Sequence, residues 1–302
     1  MLYAVIDIGS SIVKYKIYKY DGREIEPTII YDQRISLISY RKNDALTKEG
    51  LDLLLETLGK LKNYSEQLQV DKSYYVATAS LRNITNSNEV LSIVKKELNI
   101  DIKILTGYKE AHHSFNSIKW INMPENEGIL VDIGGGSSEV SVFEDCTPVE
   151  QKSVPIGVIT IYQNYVSLLL PTKQEQDEIV KVIREKIREQ KFLNTSKNYL
   201  YGIGKSIVTV KKLFKHMGLK IEENTLDIKD IDYLLNIFSS NTKESYQPLL
   251  LVDSERIHTI IPSLLVMKAL SCEFNLKKLY VCDVTLQDGI ILDLIDENKI
   301  RK

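Results

Sequence analysis

The 302-residue sequence is poor in cysteine, with only Cys146, Cys272 and Cys282. Three are too few for a disulfide framework, and their spacing is not that of a metal site. They fit a reducing cytoplasm, which is the expected location. A charge excess is also missing: 39 Lys and Arg stand against 41 Asp and Glu, for a net charge of −2. No strong basic field is available to draw duplex nucleic acid, although a polyanion could bind at a local patch. The amino-terminal stretch MLYAVIDIGSS has no charged region ahead of a long apolar run, so no secretory leader is expected. No apolar run is read as reaching membrane-spanning length, so no membrane partner is expected. What remains is an ordinary globular composition, 43% hydrophobic and 26% charged, long enough for one large or two ordinary domains. Its wealth of Lys, Ile, Asn and Tyr resembles the coding bias of AT-rich bacteria.

Glycine numbers only 14, yet three stand together in GILVDIGGGSSEV, residues 128–140. Glycine adds no packing and weakens strands. Three in a row mark either a tight hairpin turn or a phosphate cradle, in which backbone N–H groups converge on an anion and a side chain would obstruct.

Hydrophobic periodicity organises the rest. LYAVIDIGSS reads as a buried strand. IVKYKIYKYDG alternates strictly and predicts a half-exposed strand ending at Asp21-Gly22. PTIIYDQRISLI completes a meander. The segment from Leu46 to Leu68 is an amphipathic helix with Thr47 as N-cap, and the first 120 residues run βββαβαβα. The opening then repeats: GILVDIGGGSSEVSVFED matches LYAVIDIGSSIVKYKIYKYDG in form, and VEQKSVPIG supplies a third strand. Later come helices at KQEQDEIVKVIREKIREQKF and SIVTVKKLFKHM, the strand NYLYGIG between them, the strand KKLYVCDV, and a last helix from about Leu286. The fold class is therefore α/β, a duplicated unit with a cleft between its halves. The division is expected in the linker INMPENEG, giving domains 1–122 and 123–302.

The duplication favours the cradle. Two Asp-Ile-Gly turns, each closing a hairpin, can grip a phosphate chain from both sides. Asp7 and Asp132 end their strands, where a carboxylate can hold Mg²⁺ directly or through water.

The pair DIGSS and DIGGGSSE resembles the actin, sugar-kinase and heat-shock chaperone superfamily. Over nearly the whole chain, the sequence more specifically resembles the exopolyphosphatase and guanosine pentaphosphate phosphohydrolase (Ppx/GppA) family. VATASLRNITNSNEVL is similar to that family's Ala-Thr-x-x-Leu-Arg segment, ILTGYKEAHHSF to its Ser/Thr-Gly-x-x-Glu-Ala segment, and VDIGGGSSEV to its glycine motif. LYGIGKSI and LYVCDVTLQDGII resemble two further segments in degraded form. The resemblance implies two actin-like (ribonuclease H-like) domains, each with a mixed five-stranded sheet and flanking helices. It also implies Mg²⁺-dependent cleavage of the terminal phosphoanhydride of polyphosphate or guanosine pentaphosphate. A homodimer is open to such a chain. The alternative is a family member that binds phosphorylated guanosine alarmones as a sensor without hydrolysing them. A kinase or chaperone-like ATPase is disfavoured by the Glu-Ala segment.

The same resemblance assigns roles. Glu110 matches the glutamate that activates the attacking water; a phosphoanhydride has a good leaving group, so water positioning, proton acceptance and charge neutralisation are the main needs. Asp132 and Glu139 flank the glycine loop and, with Asp7, form the implied metal shell. Arg82 matches a phosphate-binding arginine, whose planar guanidinium suits bidentate contact. Gly9, Ser10 and Ser11 offer donors in the first loop, Gly134, Gly135, Gly136 and Ser137 in the second, and Gly204, Lys205 and Ser206 in a third. Several positions depart from the family pattern. Ser11 stands for Asn, Gly204 for serine, Lys205 for glycine and Gln287 for arginine, and YRKNDALTKEG lacks the usual glycines. These put substrate range in question more than chemistry.

Lys14 lies seven residues after Asp7 and shares a strand face with Lys16. Lys14 either reaches a bound phosphate or, with Lys16, solvates an exposed face; Lys16→Ala is expected to do little. His112 and His113 point about 100° apart on a helix and make a poor metal pair. Trp120 reads as packing. KVIREKIREQK reads as a solvated helix face, or as a basic strip for a polyphosphate tail.

Overall fold

The computed structural model describes residues 1–193 and 195–296. The described residues form two compact units, one of Met1–His113 with Gln287–Asp296, the other within Ser114–Leu286. The expected linker at 121–128 thus lies inside the second unit, and the last helix returns to the first.

The first unit opens with the predicted meander, β1 (Leu2–Ile8), β2 (Ile12–Tyr20) and β3 (Ile25–Arg34). A small hairpin of β4 (Arg41–Lys42) and β5 (Ala45–Leu46) turns through Asn43 and Asp44, both at positive φ, a region these two residue types tolerate. There follow α1 (Lys48–Gln67), β6 (Lys72–Ala77), α2 (Ala79–Arg82), α3 (Ser87–Leu98), β7 (Ile102–Ile104) and α4 (Gly107–Ser117). The Thr47 hydroxyl caps α1, accepting from the Gly50 N–H at 3.3 Å. The sheet order is β3-β2-β1-β6-β7, with β6 and β7 parallel to β1. Leu54, Leu58 and Leu61 of α1 pack with Ile6, Ile8 and Val13 in the core beside it.

The second unit repeats this plan. It contains β8 (Gly128–Ile133), β9 (Ser138–Glu144), β10 (Thr147–Val154), α5 (Val158–Tyr165), α6 (Lys173–Glu189), β11 (Tyr199–Ile203) and α7 (Lys205–His216). Then come β12 (Thr225–Asp227), α8 (Lys229–Ile237), α9 (Lys243–Asp253), α10 (Ile257–Phe274) and β13 (Lys278–Val281). The order β10-β9-β8-β11-β13 is that of the first sheet, and β12 adds a sixth strand, antiparallel at the edge. The expectation of five strands holds for the first sheet only, because three residues of β12 carry too little pattern to read as a strand. In α6, Thr172 and Glu175 make a reciprocal capping box. The KVIREKIREQK segment presents a solvated face, with Lys181, Glu185 and Glu189 exposed, and on it Arg184 and Arg188 both also bind Glu273 of α10, at 2.5 and 2.9 Å.

Two further expectations are corrected. Lys243–Phe274 is long and apolar enough to cross a membrane by length and composition, although no such stretch was read from the sequence; 67% of its apolar window is buried inside the fold. The apolar character of α10 is that of a core helix, with residues such as Ile261, Leu264 and Leu270 fully enclosed. Similarly, β2 is buried on both faces rather than half-exposed. Its second face is covered by α11 (Leu286–Asp296), where Asp288 accepts from Lys16 Nζ at 2.7 and 2.9 Å and from the Tyr18 hydroxyl at 2.9 Å. Burial and then the Asp288 charge push the Tyr18 phenol well above its ordinary pKa, so it stays a donor.

Candidate active site

The two Asp-Ile-Gly turns have the same construction. In each, the glycine two residues after the aspartate donates its N–H across the turn, Gly9 to Ile12 O at 3.1 Å and Gly134 to Ser137 O at 3.0 Å. A Cβ at either glycine would lie 2.9 or 2.7 Å from the oxygen it faces, so neither position admits a side chain without movement. The chain then returns to brace each loop. Ile38 N–H donates to Ser10 O, and Ile35 and Ser36 to Ser11 O. In the second unit the amino-terminal end of α5 does this work: Val158 N–H donates to Gly134 O, and Ile159 and Thr160 to Gly135 O. In a trans peptide the N–H points opposite to the preceding C=O. With the loop carbonyls drawn to the brace, the N–H groups of Ser11, Gly135 and Gly136 are turned to the other side, the arrangement an anion requires.

The aspartates differ in what stands across the strand. Asp7 is paired in register with Lys14, and Asp132 with Glu139. Lys14 Nζ lies 3.3 Å from Asp7 Oδ2, so the lysine is ion-paired with the aspartate across the hairpin. The other oxygen, Asp7 Oδ1, is buried without a hydrogen-bond partner. Asp132 Oδ2 accepts from the Ser114 hydroxyl at 3.1 Å. Glu139 is buried, and its Oε1 accepts from Ser137 at 2.9 Å and Ser153 at 2.7 Å.

Arg82, at the end of α2, and Glu110, in the first turn of α4, meet directly. Arg82 Nη1 donates to Glu110 Oε2 at 2.6 Å and to Leu105 O at 2.9 Å, with Glu110 nearly enclosed. These positions share one logic. Asp7 lies near the carboxyl end of β1, Arg82 follows β6 and Glu110 follows β7, while Asp132 lies near the end of β8 and Gly204 follows β11. In open α/β sheets that end is where ligands bind.

The third loop is built differently from the expectation. Gly204 adopts φ +84° at the start of α7, and a Cβ there would lie 2.9 Å from Asp132 Oδ1. Ser206 is buried, its hydroxyl donating to Ile133 O at 3.2 Å, so it ties α7 to β8. Lys205 is exposed. His113 pairs with Asp293 of α11 at 2.5 Å, and His112 stacks on Tyr108. Trp120 packs against the core around Phe143 and Tyr201.

Among the described residues, no group of three or more His, Cys, Asp or Glu could hold a metal ion. Asp7, Asp132 and Glu139 are thus not a ready-made three-carboxylate cage. The unpartnered, buried Oδ1 of Asp7 nonetheless fits a hard cation, and Mg²⁺ commonly takes only one or two carboxylates beside substrate phosphate and water.

Sequence reasoning missed Gly157. A Cβ on it would fall 2.2 Å from Gly135 O and 2.3 Å from Gly136 C, so bare backbone lets α5 close on the glycine loop. A single glycine outside any pattern gives no sequence signal. Gly157→Ala should displace the loop, with a loss of about 1–3 kcal/mol in stability from overpacking and a marked loss of phosphate affinity. Unfolding and phosphate-analogue titrations check both; an unchanged affinity would show that the loop tolerates the shift.

A model of the Ppx/GppA phosphatase family matches residues 27–298. The chain is 24% identical to Exopolyphosphatase 1 of Mycobacterium leprae over 98% of this chain and 90% of that protein. It is 25% identical to guanosine-5'-triphosphate,3'-diphosphate pyrophosphatase of Aeromonas salmonicida, over 98% of this chain but 60% of that longer protein. Among solved structures it is similar to the Aquifex aeolicus Ppx/GppA family member, with a TM-score of 0.81 at 21% identity, covering 99% of each chain. An exopolyphosphatase from Cytophaga hutchinsonii gives 0.85 at 19% identity, covering 98% of each. At such identities these structures share the two-domain actin-like fold, which is the one expected.

Proposed function

Because the chain belongs to the Ppx/GppA phosphatase family, we propose that it hydrolyses the terminal phosphoanhydride of inorganic polyphosphate or guanosine pentaphosphate and releases orthophosphate. The observation that carries this reading is the pair of braced hairpins, whose loop carbonyls are committed and whose N–H groups are turned outward. The first unit carries cationic groups, Lys14 and Arg82, which suit phosphate, and the second carries the acidic pair Asp132 and Glu139, which suits a counter-ion.

In this reading the loop N–H groups and Lys14 bind phosphate oxygens. Glu110 accepts the proton of the attacking water, and Arg82 holds both the Glu110 carboxylate and a phosphate oxygen. Asp7 in the first unit and Asp132 in the second are each a carboxylate that would hold Mg²⁺, which would supply charge neutralisation on the phosphates. Glu139, fixed by Ser137 and Ser153, orders water near Asp132.

A second reading, a sensor that binds the alarmone without hydrolysing it, draws on the Arg82–Glu110 pair, which already engages the carboxylate, and on the altered third loop. Phosphate release from polyphosphate, guanosine pentaphosphate and ATP, measured side by side with Mg²⁺, separates the two. Release from either of the first substrates supports the hydrolase; binding without release supports the sensor. Asp132→Asn is expected to raise the Mg²⁺ concentration at half-maximal activity, because an amide oxygen is a weaker ligand for a hard cation. An unchanged Mg²⁺ titration would make Asp132 a structural partner of Ser114.

A further inference from the structure

Asp132 and Glu139 stand directly opposite each other on the antiparallel strands β8 and β9, where like charges repel. Serine hydroxyls hold both. Glu139 Oε1 accepts from Ser137 at 2.9 Å and from Ser153 at 2.7 Å, and Asp132 Oδ2 accepts from Ser114 at 3.1 Å. These donors are neutral, so they fix each carboxylate without cancelling its charge. Ser137 and Ser153 belong to the hairpin and the strand beside it, but Ser114 comes from a helix, α4. That part of α4 is firmly seated: Phe115 and Ile118 pack with Leu130 of β8 and Ile203 of β11, and Ser114 itself is buried. An ionised carboxylate only accepts, so the direction of the Ser114 hydrogen bond is fixed as well.

The other oxygen of the same carboxylate, Asp132 Oδ1, lies against bare backbone. A Cβ on Gly204 would fall 2.9 Å from it, so a side chain at that position would push the carboxylate aside. The resembling family has serine there, and this chain does not. Asp132 is thus set from two sides, by a hydroxyl that donates to Oδ2 and by a glycine that leaves room for Oδ1. We propose that Ser114 is a positioning residue of this site: its hydroxyl selects the Asp132 rotamer that places Oδ1 beside Gly204, and so sets the affinity of the acid pair for a divalent cation. This rests on the reading in which Asp132 holds Mg²⁺, and it adds the residue that aims the ligand. Without the hydroxyl the carboxylate loses a fixed donor and gains rotational freedom, and a cation must first order it. The competing account makes Asp132 an anion stabilised by the amino-terminal end of α7, which starts after Gly204, with Ser114 incidental to its position.

Binding of Mn²⁺, a paramagnetic cation with the same preference for carboxylate oxygen as Mg²⁺, tests this apart from turnover. The full chain is titrated with Mn²⁺ in the presence of inorganic phosphate and followed by electron paramagnetic resonance. Ser114→Ala should weaken Mn²⁺ binding by about 10–100-fold, the usual cost of removing the partner of a metal-ligating side chain. Alanine is a better helix former than serine, so α4 is kept. Combining Ser114→Ala with Asp132→Asn should cost no more than Asp132→Asn alone, because the serine acts through the aspartate. Two outcomes overturn the proposal and leave Asp132 a ligand: losses that add in the double variant, or Asp132→Asn weakening Mn²⁺ binding while Ser114→Ala does not. A parent chain that takes up no Mn²⁺, or an Asp132→Asn chain that binds it unchanged, removes the underlying reading of Asp132 and the role of Ser114 with it.

Discussion

Glu110→Gln should lower the rate of phosphate release by roughly 10²–10⁴-fold while substrate still binds, because the amide cannot accept the proton of the attacking water. The isosteric change keeps an oxygen able to accept from Arg82 Nη1, which now lies 2.6 Å from Glu110 Oε2. Arg82 also retains its bond to Leu105 O, so the guanidinium is not released. The competing account makes Glu110 an anchor for Arg82 and nothing more. In that case Glu110→Gln and Arg82→Ala should both raise KM and leave kcat alone, and the double variant should be no worse than either single one. Steady-state kinetics with an equilibrium binding measurement separate these outcomes. Near-wild-type turnover in Glu110→Gln would remove it from the chemistry.

What the sequence disclosed and what it hid divide along physical lines. The Asp-Ile-Gly turns were legible because a glycine whose Cβ would strike a backbone oxygen leaves little choice of residue, and because the turn occurs twice. The helix start at Thr47 was legible because capping is local. The environment of β2 was not. Its alternation of apolar and polar residues predicts one solvated face, but that face is covered by a helix starting more than 260 residues later in the chain. Lys16 and Asp288 are 272 positions apart and nothing local links them. The partners of Ser206 and of Arg184 and Arg188 are likewise distant in the chain: Ser206 donates to Ile133 O, and both arginines bind Glu273 on another helix. Gln287, a departure from the resembling family, is also explained by contact rather than pattern: its amide donates to Val5 O at 2.7 Å and Lys14 O at 3.2 Å, stitching α11 to the first hairpin.

Lys16 therefore carries an expectation opposite to the one its strand pattern suggests, and its partner gives the sharper test. Asp288 is almost fully buried, and its carboxylate accepts from Lys16 Nζ and from the Tyr18 hydroxyl. In Asp288→Ala, among the described residues, Lys16 would keep only the face of the Tyr18 ring, 5.5 Å from its Nζ. Breaking a buried ion pair from one side costs about 3–5 kcal/mol, since the remaining charge has lost its solvent and its counter-ion together. The loss should be local to the first unit and should appear first in α11, as faster amide exchange from Gln287 onward. Replacing both ends by apolar groups of similar volume, Lys16→Met with Asp288→Leu, should recover most of the stability, because no charge is then left buried. Denaturant unfolding of the two variants, read beside amide exchange, checks the pair of expectations. A loss below about 1 kcal/mol in Asp288→Ala would mean that water reaches Lys16 and the pair behaves as a surface one. A double variant as unstable as the single one would mean that the geometry of the bonds, and not the stranded charge, holds α11 in place.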